Sequence, residues 1–178
     1  SDYMTPASAD ERFGRAQRAL DRLAAGIAQA KLDALVIVGD DQHELFFEHN
    51  MPSLSVYWGE TIRNDSSADR PPRQPAWFDR ATRKYGEPGP ARDYPVARAL
   101  ASHLIDESIA AEFDLAITDR LLEGQHEGHA FGFVHRRLMP DNPVPIVPVM
   151  INTYNPPNTP RAARCYRFGQ LIRKAIDS

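Results

Sequence analysis

Cysteine is almost missing from this sequence: Cys165 stands alone among 178 residues, so no intrachain disulfide can form. A reducing, cytoplasmic setting is the expectation that follows. No apolar run approaches the ~18 residues of a membrane-crossing helix, and no membrane partner is expected. Ser1-Asp2-Tyr3-Met4 shows neither the basic nor the apolar region of a secretory leader. A basic excess is also lacking. The 21 Lys and Arg are outnumbered by 24 Asp and Glu, for a net charge of -3, and the signs are interspersed. A chain that tracks phosphates clusters its bases, so nucleic acid is not an expected partner. Internal repeats and low-complexity tracts are missing as well. What remains is a chain long enough to bury a hydrophobic core without disulfide or metal staples.

The hydrophobic residues that are present fall into two periods. From Ser8 to Lys31, Phe13, Ala16, Leu20, Leu23, Ile27 and Ala30 recur every three or four positions, which predicts an amphipathic helix opened by a Ser8/Glu11 capping box. Residues 34–39, Ala-Leu-Val-Ile-Val-Gly, predict a strand buried on both faces. Leu54 to Trp58 and Phe113 to Thr118 read as further strands. Val144 to Thr153 reads as another, its prolines pushing its first half toward an edge or a bulge. Helical period returns over Tyr94 to Ala111 and Arg161 to Ile176. Between Asn64 and Pro90 the prolines Pro71, Pro72, Pro75, Pro88 and Pro90 indicate a long surface excursion. Helices alternating with apolar strands predict one α/β domain, a largely parallel sheet flanked by helices.

In such sheets ligands gather beyond the carboxyl ends of strands. Three polar clusters are assigned to those ends. Gly39-Asp40-Asp41-Gln42-His43-Glu44 offers hard-metal ligands or a base, or else a polar loop in which Asp40 or Asp41 caps a helix. Gly124-Gln125-His126-Glu127-Gly128-His129 places an imidazole between glycines that allow close backbone approach, or is a surface loop. Asn152-Thr153-Tyr154-Asn155-Pro156-Pro157 reads as a strand ending in a turn. His49, His103 and His135 are expected on surfaces with no second ligand nearby. Arg161, Arg164, Arg167 and Arg173 form an expected solvated helix face, and Cys165 reads as a small packed hydrophobe.

Together these motifs resemble a known family. Residues 36–42, Val-Ile-Val-Gly-Asp-Asp-Gln, with Phe46-Phe47 and Asn50-Met51-Pro52, are similar to the ligand-bearing segment of the class III extradiol ring-cleavage dioxygenases, the superfamily of protocatechuate 4,5-dioxygenase. Gly128-His129-Ala130-Phe131, with Pro140 and residues 145–149, resembles that family's His-Gly segment. Asn152-Thr153-Tyr154, Pro156-Pro157 and Arg164-Cys165-Tyr166 continue in the same order. The Asp-Asp-Gln variant is most similar to the branch that contains 3-O-methylgallate dioxygenase.

The resemblance implies an iron(II) enzyme that opens the ring of a catechol such as 3-O-methylgallate, gallate or protocatechuate with O2, the metal held by two histidines and a carboxylate. His129 would be a catalytic, substrate-contacting histidine, with Asp40 and Asp41 also against the substrate. One triad histidine would fall on Gln42, so the metal ligand here is Gln42 or its neighbour His43. The remaining ligands and the base histidine would lie before Ser1 and after Ser178, and the 178 residues alone are expected to bind iron weakly and not to turn over. Assembly with further copies or with a small accessory subunit stays open. A metal-dependent hydrolase on the same scaffold, and a non-catalytic module that has lost its metal, are the alternatives.

Overall fold

Two runs of branched side chains, one early and one late in the sequence, meet to form the middle of the molecule. In the computed structural model, which describes residues 5–70, 72 and 74–178, strand β1 (Leu35–Gly39) pairs in parallel with β6 (Ile146–Ile151) from Leu35↔Ile146 to Gly39↔Met150. Ser1–Met4, and Pro71 of the expected excursion, lie outside the described residues. On the other side of β6, β2 (Leu54–Tyr57) runs antiparallel, and β5 (Ala116–Thr118) follows β2 in parallel. The order is β1-β6-β2-β5, a mixed sheet whose pairs are mostly parallel. The fold is α/β, as the alternating pattern predicts.

Side-chain alternation along the strands separates two hydrophobic layers. Ile146 and Met150 of β6 face one side with Ile37, Phe131, Leu138 and Met139, against which Leu20, Ala24 and Ile27 of helix α1 (Pro6–Ala30) pack. Val147 and Val149 face the other with Leu54, Val56, Leu104 of α3 (Arg98–Ala110) and Phe168 and Leu171 of α5 (Ala162–Asp177). Helices therefore cover both faces. A two-stranded antiparallel sheet, β3 (Thr61–Asn64) with β4 (Arg92–Pro95), joins the first layer through the fully buried pair Ile62↔Tyr94.

Several expectations need correction. Helix α1 begins one turn earlier than the Ser8/Glu11 box implies: Thr5 is the cap, its Oγ1 accepting from the Ser8 amide at 3.2 Å, with Pro6 at the first helical position. The strand expected to be buried on both faces, β1, is an outer strand, and Val38 is half exposed. Strand β6, whose first half is expected toward an edge or a bulge, lies between β1 and β2, though only Val149, Met150 and Ile151 pair with β2. Pro148 is tolerated there because the ladder to β2 ends at Val56↔Val149, so its missing donor falls just past the last pair of that ladder. Tyr94 belongs to β4, and helix α3 starts only after Pro95. The excursion is only partly loop. It contains helix α2 (Ala76–Thr82) and a bridge Ser66↔Glu87, and it buries Asn64, Ser66 and Glu87.

Strand direction decides where a site can form. Because β1 and β6 are parallel, their carboxyl ends open on one edge, bringing residues 40–44 beside residues 152–155. Strands β2 and β5 point the opposite way, so the carboxyl end of β5 is not on that edge. The cluster after β5 reaches the β1 edge by a different route. Residues 119–128 cross the molecule, the Gln125 Nε2 donating to the Leu45 carbonyl at 3.0 Å. Helix α4 (His129–Phe133) then begins, continuing into one π turn, Val134–Leu138.

Candidate active site

The loop after β1 is folded by Asp41. Its Oδ1 accepts from the Leu45 amide at 2.9 Å, and its Oδ2 accepts from the amides of Phe46 at 3.2 Å and Glu44 at 3.3 Å. Burial pushes the Asp41 carboxyl above its usual range, the three amides pulling the other way. Asp41 is thus turned inward, away from the substrate-facing place expected of it, and its oxygens are occupied. The wrapped loop aims its neighbours instead. The Asn155 Nδ2, reaching the Asp41 carbonyl at 3.5 Å, ties in the turn that follows β6.

His129 enters this loop as the first residue of α4. The Glu44 Oε1 accepts from its backbone amide at 2.9 Å, and Oε2 lies 2.8 Å from its Nδ1. A carboxylate can only accept, so Nδ1 carries a hydrogen and Nε2 is the atom left for chemistry. Two groups flank that atom: the Gln42 Nε2 at 3.3 Å and the Asp40 Oδ1 at 3.4 Å. The amide of Gln42 donates to a neutral imidazole, and the carboxylate of Asp40 accepts from a charged one. Both protonation states of His129 therefore have a partner in place. The Glu44 hydrogen bond raises the His129 pKa against the opposing effect of burial, helped by the charges of Glu44, Asp40 and Asp41. Burial alone would raise Glu44, but its bonds to His129 outweigh it and hold the carboxyl below the usual range.

Close packing seats the pair. A Cβ on Gly128 would lie 2.8 Å from the Glu44 Oε2, and one on Gly39 would lie 2.4 Å from the Ala130 Cβ. Only glycines let the end of β1 and the start of α4 approach this closely. The Tyr85 ring stands 6.0 Å from that of His129. Beside it a cleft of about 370 Å3 is lined by Glu44, Arg70, Arg83, Tyr85 and His126 among others. Burial lowers the His126 pKa, and the charge of Arg70 adds to the effect.

The structure brings Asp40, Gln42, Glu44 and His129 together and leaves His43 out. His43 adopts a left-handed backbone (φ 58°), stacks on Phe47, and places Nε2 3.8 Å from the Glu48 Oε1. Sequence reasoning counted Glu44 only as one more carboxylate in a cluster. Its spacing gave no sign that it would bind the residue 85 positions away. Tyr154 lies in the turn expected there, with Asn152 and Asn155 bonded to each other across it. Yet burial raises its pKa, with the charges of Asp40, Asp41 and Glu44 adding to it, so it stands at the same edge.

The fit to iron is poor. Among the described residues no three His, Cys, Asp or Glu side chains are grouped to hold a metal ion. The Asp41 oxygens are taken by amides, Glu44 is engaged by His129, and Gln42 offers an amide in place of an imidazole.

No protein-family model matches the chain. Over 174 residues, 98% of its length, it is 26% identical to a 2,3-dihydroxyphenylpropionate/2,3-dihydroxicinnamic acid 1,2-dioxygenase of Comamonas testosteroni. Over 99 residues, 52% of its length, it is 35% identical to a gallate dioxygenase of Pseudomonas putida. The matched stretches make up 47% and 27% of those two proteins, so the chain spans about half the length, or less, of the curated relatives it matches. Among solved structures, a futalosine hydrolase mutant of Helicobacter pylori is similar with a TM-score of 0.46 and 12% identity, over 89% of this chain and 74% of that one. Both curated relatives are dioxygenases.

Proposed function

We propose that these residues form the acid–base part of an extradiol-type dioxygenase that opens the ring of a catechol with O2. The observation that carries this reading is the placement of His129, with Glu44 behind Nδ1 and an approachable Nε2 at the carboxyl end of β1. Similarity to two dioxygenases whose names specify a dihydroxyphenyl acid and gallate supports it. Iron(II), which the resemblance implies, would supply the site where diol and O2 meet. The described residues do not form that site, so on this reading its ligands come from outside them.

In this scheme Nε2 of neutral His129, rather than the base histidine that the resemblance sets outside the described residues, takes a proton from a catechol hydroxyl. Glu44 and Asp40 then stabilise the imidazolium, and the same proton is returned to an oxygen of the ring-opened product. Both atoms of O2 end in that product, so no external reductant is consumed. A base whose pKa is raised by a carboxylate behind its Nδ1 suits the task.

Gln42 favours a second reading, a non-catalytic module that has kept the sheet and lost its metal. The two separate in one experiment on the full-length protein. Oxygen uptake is followed with gallate, 3-O-methylgallate, protocatechuate and 2,3-dihydroxyphenylpropionate after anaerobic loading with ferrous iron. Uptake matched to ring-opened product supports the dioxygenase. Failure to bind iron or consume oxygen would leave the module, and substrate hydrolysis under nitrogen would point to a hydrolase.

A further inference from the structure

The turn that leads into His129 carries a second imidazole–carboxylate pair, facing inward. Glu127 and His135 are both completely buried, with Glu127 Oε2 2.7 Å from His135 Nδ1. The His135 ring stacks on Tyr94 at 3.8 Å and 4°. The Tyr94 hydroxyl donates to Glu87 Oε1 at 2.7 Å, and Arg136 Nη1 lies 3.5 Å from Glu87 Oε2. This corrects the expectation that His135 is a surface residue without a partner.

A buried pair of this kind is a poor way to gain stability, because apolar residues of equal volume avoid the desolvation of two ionisable groups. Here the cost is higher still. The remaining polar atoms, Glu127 Oε1 and His135 Nε2, have no hydrogen-bond partner among the described residues. Burial pushes the Glu127 carboxyl above its usual range, with His135 opposing. Such an arrangement two residues from His129 is an expensive way to fill space.

We infer that Glu127 and His135 are positioning residues that fix where the His129 imidazole stands against Glu44. The backbone connects the two pairs. Glu127 N donates to the Arg63 carbonyl at 2.7 Å, which anchors the turn to β3. The next carbonyl, of Gly128, accepts from Phe131 at 3.1 Å and Gly132 at 3.0 Å and starts α4. With the Glu127 side chain drawn inward to His135, the chain emerges at His129 pointing outward to Glu44. Gly132 makes room: a Cβ there would meet the Tyr85 carbonyl at 2.8 Å and the Glu127 Oε1 at 3.6 Å. The π turn, closed by Met139 N donating to the Val134 carbonyl at 3.0 Å, widens the helix where His135 must point into the core. The inference stands on contacts within this chain and does not rest on the reaction proposed above.

The test is the hydrogen bond from His129 Nδ1 to Glu44, read at one fixed pH by NMR of the imidazole nitrogens and their protons in the full-length protein carrying Glu127→Ala, Glu127→Gln, His135→Leu or Leu104→Ala. Leu104 lies in the hydrophobic layer on the opposite face of the sheet and serves as a control for general destabilisation. Expected is a fall in the chemical shift of the hydrogen-bonded His129 Nδ1 proton, or loss of its signal, in Glu127→Ala and His135→Leu. Glu127→Gln, which still presents an oxygen to His135 Nδ1, restores most of it, and Leu104→Ala leaves it unmoved despite a lower melting temperature. An unmoved His129 Nδ1 proton in folded Glu127→Ala or His135→Leu overturns the proposal. An equal fall in Leu104→Ala does the same, as does loss of folding in both pair variants, which would make the pair an element of the fold and nothing more.

Discussion

Glu44 holds His129 twice, through its backbone amide and through its ring, with a different carboxylate oxygen for each. One side chain thereby fixes both the start of helix α4 and the orientation of its imidazole. Neither contact alone would do so, since an amide bond leaves the ring free to rotate and a ring contact leaves the helix start unanchored.

The pair makes stability depend on pH with a definite sign. The folded pKa of His129 is raised, so its contribution is fully present below the ordinary value of 6.5 and is lost as pH rises through the raised value. That of Glu44 is lowered, so its contribution is present above 4.5 and is lost as pH falls through the depressed value. The melting-temperature difference between wild type and Glu44→Gln should be largest between these two pH values and should shrink on both sides. A difference that is flat from pH 4 to 9 would show that the pair is not charged in the folded protein.

Gly39→Ala should destabilise by about 1–3 kcal/mol, because its new methyl group meets Ala130 far inside van der Waals contact. Ala130→Gly in the same chain should recover part of that loss, less about 1 kcal/mol for glycine in a helix. Urea denaturation of the two single variants and the double variant gives the coupling. Strict additivity would mean that β1 and α4 separate without cost.

Asp41→Asn should cost about 1–3 kcal/mol although the side chains have the same shape. The carboxylate accepts three amides on two oxygens, and an amide group turns one of its ends into a donor facing donors. Denaturation midpoints check the loss. Wild-type stability would show that the loop is held by other contacts.

On the proposed dioxygenase reading, His129→Gln in the full-length protein should lower catechol-dependent oxygen uptake by roughly 100- to 10,000-fold, the usual range for a positioned proton acceptor. Bound iron should stay near wild type. Iron loss would make His129 a ligand, and unchanged turnover would remove it from the reaction.

The periodic elements were legible because their signal is local. Helices α1 and α5 and strands β1, β2 and β6 all lie close to where hydrophobic spacing puts them. What periodicity does not carry is neighbourhood. The apolar run of β1 looks interior, yet sheet order depends on which strand pairs with which, and here β1 is the outer strand while the proline-bearing β6 lies between two partners. The same limit governs the site. Asp40, Gln42 and His129 could be picked out by residue type. Glu44 as the partner of His129, and Glu127 as the partner of His135, are relations across folded space, and glycines at 39 and 128 were the only local hint of a close approach. His135 was missed because a polar residue in a helical stretch is assigned to the surface unless its buried partner is known.

Helix α1 is the longest element, yet none of its 25 residues is buried. It rests on the sheet through Leu20, Ala24 and Ile27, and is tied to the π turn by Arg137, whose Nη2 donates to Asp21 Oδ1 at 2.7 Å and to Gln17 Oε1 at 3.0 Å. So narrow a seam should let it open as a separate cooperative unit, at a lower free energy than the sheet. Amide protons of residues 6–30 should then exchange through a sub-global opening while those of β2 and β6 exchange only with complete unfolding, so that the slowest and fastest parts of this molecule are set by how each helix is seated and not by how long it is.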